Sequence, residues 1–254
     1  MKKLNLKKKK LLAWCDFMVP TGFGNVAKNL LDTMHEDYDV HILGINFRGD
    51  RKYDTSKYFI YPVETQDLLG LQRLPRIIQD VQPDLLFLFQ DIFHISDNIE
   101  NIRKIVGFKA KIISYFPVDG APFNLGWQNV LDYSDVCMTY TDWGINVIRD
   151  KFGDYGKTPI YKLYHGVDTN IFFPHKPNKI AELRKTFGWT NKFTVANVNR
   201  FQPRKFIPGT ARAFNMFAKG YKLNPENGHM MPLDRKRCEL TGSTDLQTFE
   251  TPKD

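Results

Sequence analysis

Two periodicities alternate along the first two thirds of the chain. Apolar, β-branched runs at residues 11–17, 40–46, 84–89, 111–116, 136–140 and 160–164 have the length and continuity of strands buried on both faces, and 58–61 adds a shorter one. Stretches with apolar residues at helical spacing lie between them. Thr21-Gly-Phe-Gly24 leads into a helix with Val26, Ala27, Leu30, Leu31 and Met34 on one side. Residues 68–81 form a helix stopped before Pro83, and Ser96 caps one carrying Ile99, Ile102, Ile105 and Val106. Thr141 caps another, running to Asp150 with Trp143, Val147 and Ile148 inward. Five or six strands alternating with helices predict an α/β fold, a parallel, doubly wound, Rossmann-like sheet over residues 11–172.

The pattern then thins. Residues 173–178 form a Pro-rich linker, Asn178 caps a helix over 180–187, and Gly188 ends it. A strand over 193–198 and a helix over 207–219 follow, with Pro208 in the helix's first turn. Residues 221–254 are polar, contain Pro225, Pro232 and Pro252, and carry neither a strand run nor a helical face. One strand and two helices cannot bury a sheet on both faces, so the second domain is expected to be incomplete. A full domain would need roughly another 100 residues. The expectation is a fragment, a truncated product or a chain completed by a partner.

Composition changes this picture little. The 254 residues are 42% hydrophobic and 14% aromatic, which excludes a disordered chain. The net charge of +8 is largely local, because Lys2, Lys3, Lys7, Lys8, Lys9 and Lys10 crowd residues 1–10. This arm is read as disordered and solvated, with peripheral contact to an anionic membrane as its possible use. Basic residues are not interleaved with aromatics elsewhere, so no nucleic acid is expected. Residues 11–19 are too short and too interrupted, by Asp16, to be a signal segment, and no run approaches the roughly 20 residues of a membrane span. Cys15, Cys137 and Cys238 are widely separated and are read as reduced packing residues in a cytoplasmic protein.

Candidate chemistry gathers at strand ends. The turn between 193–198 and 207–219 carries Arg200, Arg204 and Lys205 and aims them, with the positive end of a helix, at one point where a diphosphate would fit. Gly22 and Gly24 allow close approach of a ligand to backbone at the first βα turn. Asp91 and Asp119 follow neighbouring strands and face one crevice as acceptor-side candidates; His94 is a weaker one. No cluster of carboxylates, His or Cys demands a metal.

Three of these stretches carry a resemblance. Arg200 with Lys205 resembles the Arg-x4-Lys element of retaining glycosyltransferases of the GT-B fold, especially family 4. His165-Gly-Val-Asp-Thr-Asn-Ile-Phe-Phe-Pro174 resembles that family's interdomain hinge, and Thr21 to Leu30 its first Gly-rich turn and helix. The resemblance implies an acceptor-side domain over 11–172, then a hinge and the start of a nucleotide-sugar domain over 173–220, with 221–254 an irregular tail. It implies transfer of a sugar from a nucleotide-diphosphate donor to a sugar, lipid or protein hydroxyl, with retention and without metal or cofactor. Gly22, Gly24, Arg200, Arg204 and Lys205 would hold the donor phosphates. Arg200 and Lys205 would stabilise the leaving diphosphate, and Asp119 would orient a hydroxyl or the donor sugar. The chain departs from the family in offering Pro117 and Asp119 where a His is common, and in lacking the Glu-x7-Glu element. Two other functions stay open: a non-catalytic binding or assembly module, and a sugar-nucleotide epimerase, against which the hinge and the Arg-x4-Lys spacing argue.

Overall fold

Seven parallel strands, β1 (Lys9–Asp16), β2 (Tyr38–Ile45), β3 (Phe59–Pro62), β4 (Leu85–Phe89), β5 (Lys111–Tyr115), β6 (Val136–Thr139) and β7 (Ile160–Lys162), form one sheet. Their order is β3-β2-β1-β4-β5-β6-β7. The structure, a computed structural model, describes residues 8–49, 56–153, 158–224 and 226–232. The chain divides into two units, Met1–Asp168 and Thr169–Asp254.

The strands sit in the sheet because each has two apolar faces. In β1, Leu12 and Trp14 point to one side and Leu11, Ala13 and Cys15 to the other, all fully buried. On the first side they meet α2 (Leu74–Val81), α3 (Ile92–Val106), α4 (Gln128–Tyr133) and α5 (Asp142–Phe152), through residues such as Ile77, Ile99, Val130 and Ile148. On the second they meet α1 (Gly22–Met34) through Ala27 and Leu31. Ile113, Met138 and Leu163, toward the β7 edge of that second side, remain half-buried. Cys15 and Cys137 are buried free thiols, and burial pushes Cys137 up to about 12 and Cys15 higher still. Cys238 lies outside the described residues.

Several expectations are corrected. β1 begins at Lys9, so the basic arm is shorter than residues 1–10: Lys10 N donates to Asp84 Oδ2 at 2.8 Å, and Lys10 Nζ to the Val81 carbonyl at 2.8 Å. Lys8 Nζ reaches the His35 carbonyl at 2.7 Å, while Lys2, Lys3 and Lys7 lie outside the described residues. Helix α2 starts at Leu74 instead of residue 68, because the Asp67 carboxylate accepts from Leu71 N and Gln72 N and holds a turn in which Gly70 has φ +70°. α3 starts at Ile92, so Ser96 lies within it and donates to Asn129 Oδ1 at 2.8 Å instead of capping. Thr141 does cap α5, accepting from Gly144 N at 3.0 Å, but Trp143 is 49% exposed.

In the second unit, α6 (Pro177–Thr186) is entered through Lys176 and Pro177, so Asn178 is helical and is not the cap. Residues 193–198 form no strand and Val198 is 93% exposed. A two-face apolar strand needs ladder partners and covering layers, and none is supplied among the described residues. α7 (Ile207–Ala218) follows, and a hairpin of β8 (Tyr221–Leu223) and β9 (Met230–Pro232) closes where only irregular chain was expected. Among the described residues of this unit only Gly220 is buried.

Candidate functional site

The strand order reverses at β1: the chain leaves β1 through α1 to β2 on one side, and β4, its other neighbour, continues away to β5. Open α/β sheets bind ligands in the crevice outside the carboxyl ends at such a point. Here those ends carry Asp16, Asn46 and Gln90.

Asp16 is 5% exposed, and among the described residues no ion pair to it is seen. Its carboxylate is satisfied instead by three neutral donors from three elements: Thr21 Oγ1 at 2.7 Å, Asn46 Nδ2 at 3.2 Å and Gln90 Nε2 at 3.3 Å. Because Thr21 gives its hydroxyl proton to Asp16, its oxygen accepts from Gly24 N at 2.9 Å and caps α1. Gln90 in turn accepts from Asp91 N at 3.0 Å, which fixes the start of α3. One buried carboxylate thus ties together the tips of β1, β2 and β4 and the turn into α1.

The two predicted glycines differ. A Cβ on Gly24 would lie 2.5 Å from the Val19 carbonyl oxygen, so Gly24 serves close packing of the turn; nothing lies within 4 Å of the corresponding position at Gly22. Gly22 therefore leaves the open approach that a ligand would use. Asp91 opens α3 beside this crevice, and His94 is in the first turn of that helix. Asp119 is exposed in the loop after β5, one strand farther along.

Beyond Asp91 the strand ends turn aromatic. Phe23 meets Phe89 at 5.0 Å between ring centroids, Phe89 stacks on Tyr115 at 4.7 Å, Tyr115 meets Tyr140 at 5.0 Å, and Tyr140 meets His165 at 4.0 Å. Tyr115 is fixed from below by its hydroxyl, which donates to the Leu163 carbonyl at 2.6 Å. Burial raises the Tyr140 phenol well above its ordinary value, with smaller contributions from Tyr115 and the Asp91 carboxylate. Desolvation of the ring lowers the His165 pKa below its ordinary value. Phe23 and Tyr140 are half-buried and His165 is exposed, so the row reaches the surface.

Arg200, Arg204 and Lys205 belong to the second unit. Residues 203–205 form a 3-10 turn in which Lys205 N donates to the Gln202 carbonyl at 3.0 Å. Phe206, in the left-handed region at φ 45°, then redirects the chain into α7, and its ring occupies the space where a Cβ on Gly209 would stand. α7 has no side-chain cap hydrogen bond and no acidic residue in its first turn; Arg204, exposed, and Lys205, half-buried, stand in the turn that leads into it, and exposed Arg200 precedes that turn in the chain.

Asp16, Asn46, Gln90 and the aromatic row were not singled out as site residues from sequence. Asp16 had a signal, a carboxylate closing an otherwise apolar strand; the amides and rings have none apart from their places at strand ends. Among the described residues no group of His, Cys, Asp and Glu could hold a metal, and no helix is long and apolar enough to cross a membrane. No protein-family model matches the chain, and no curated protein matches it.

Proposed function

We propose that this chain is the acceptor-side domain and the beginning of the donor domain of a GT-B-type glycosyltransferase, moving a sugar from a nucleotide-diphosphate donor to an acceptor hydroxyl. The observation that carries the reading is the run Arg200 to Lys205 leading into α7, whose first turn has no side-chain cap: cations and free helix amides are the groups that suit a diphosphate. The Rossmann-like sheet with its reversal at β1 and the open backbone at Gly22 support it.

In this reading Arg200 and Lys205 stabilise the charge that develops on the departing diphosphate as the anomeric carbon–oxygen bond breaks. Fixed cations supply what a divalent ion supplies in other transferases. Arg204 adds a donor contact from the second unit, while the first unit offers Asp91 and Asp119 on the acceptor side. The retaining outcome comes from the family resemblance.

Calorimetric titration with UDP and GDP tests the phosphate assignment. Arg200→Ala and Lys205→Ala are each expected to weaken binding by about 1.5 to 3 kcal/mol, the worth of a hydrogen bond to a charged group. Unchanged affinity in both variants would remove it. A second reading, a binding module without transfer, is favoured by one observation: Gly220 apart, no described residue of the donor-side unit is buried. It predicts nucleotide binding without any glycosylated product when donor and acceptor are both supplied.

A further inference from the structure

The acceptor class is open in the reading above, and the carboxyl ends of the first unit's strands narrow it. A sugar presents two kinds of surface: hydroxyls that both donate and accept, and flat patches of C–H. The first calls for carboxylates and amides held in fixed orientation, the second for an aromatic face.

Both lie side by side here. Buried Asp16 orients the exposed Asn46 by accepting from its Nδ2, and Gln90 orients the Asp91 backbone by accepting from its N–H. Next to them, Phe23, Tyr140 and His165 reach the surface from the aromatic row, and Phe89 and Tyr115 back them from within the core. Asp91 lies two residues beyond Phe89, a member of that row, just past the end of β4. Lys162, the cation at the end of β7, is tied to Asp142 at 2.6 Å. Carboxylate and amide groups at these strand ends, Asp91 and Asn46 among them, suit a ligand whose hydroxyls both donate and accept.

We infer that Asn46, Asp91, Phe23, Tyr140 and His165 form a carbohydrate-binding face, so that the acceptor is a sugar, with Asp91 receiving an acceptor hydroxyl and the Tyr140–His165 edge packing on a sugar ring. As an acceptor site this rests on the transferase reading; as a carbohydrate site it stands without it. Asp16 and Gln90 are positioning residues, acting through Asn46 and the start of α3.

The two can fail separately in one experiment. The full chain is titrated by saturation-transfer NMR with methyl glycosides of glucose, galactose, mannose and N-acetylglucosamine and with their disaccharides, and in parallel with UDP and GDP. At least one saccharide is expected to bind at millimolar concentration. Asp91→Asn, which keeps the side chain's shape, and His165→Ala, at an exposed position, should each weaken it about tenfold, in line with one lost hydrogen bond or ring contact. Arg200→Ala should leave saccharide binding unchanged while weakening the nucleotides. Failure of every saccharide to bind, or wild-type saccharide affinity in both Asp91→Asn and His165→Ala, would overturn the assignment. Saccharide binding that responds to these two variants, with no nucleotide bound, would uphold the face and remove the transferase reading.

Discussion

Asp16 is a buried carboxylate met by three neutral donors, and its worth can be measured by removing its acceptor atoms. Asp16→Ala strands three donors, of which Gln90 is buried and cannot turn to water. Loss of about 1 to 3 kcal/mol is expected in denaturant unfolding, with a smaller loss for Asp16→Asn, which keeps one acceptor oxygen. The glycines make a matched pair. Gly24→Ala puts a methyl 2.5 Å from a backbone oxygen and should cost about 1 to 3 kcal/mol, whereas Gly22→Ala meets open space and should stay within about 0.5 kcal/mol of the parent. Equal melting temperatures for the two would show that the turn relaxes. At Asp135, burial opposes ionisation, but the Ile112 amide, Arg103 and Lys111 outweigh it and hold the carboxyl below its ordinary value of 3.8. A depressed folded pKa stabilises the protein above that ordinary value and ceases to do so as pH falls toward the lower one. Acid titration of stability should therefore be shallower in Asp135→Asn, and an unchanged acid limb would contradict the pairing.

Elements were legible in the sequence where two levels agreed. The runs that became β1, β4 and β5 are apolar on both faces and found neighbours on both edges, so pattern and topology gave one answer. Residues 193–198 have the same pattern and became irregular, because periodicity records what a segment could bury and not whether partners exist. The three-residue strands β8 and β9 escaped notice because so short a pairing has no period to read. Leu68, Leu69 and Leu71 look helical, yet Asp67 captures the amides that a helix would have used. In the site, the basic turn and the glycines were visible as residue types; the Asp16 network was not, since Asn46 and Gln90 are 30 and 74 positions away along the chain. Hydrogen exchange would test the element boundaries: amides of β1 and β4 should be the slowest and those of 193–199 among the fastest. Protection across 193–198 would restore the missing strand.

At the scale of the molecule, the two units differ in kind. The first buries its apolar residues in two layers around a sheet; the second leaves Phe193, Val195, Phe201 and Phe206 exposed. Limited proteolysis should cut first between Asp168 and Pro177, where the described chain has no helix or strand, and the released first unit should keep a cooperative melt. Loss of that melt on cutting would mean that the first unit depends on the second. The position of β1 also sets the order of assembly. As the chain is made, β2 can join one edge of β1 early, but the other edge waits for β4, which is synthesised after β3 and α2. At about 5 to 20 residues per second that wait lasts seconds, far longer than collapse takes. During it, a strand whose residues from Leu11 to Asp16 are all buried in the finished sheet carries an open edge, and this interval is when a nascent chain has most need of a chaperone.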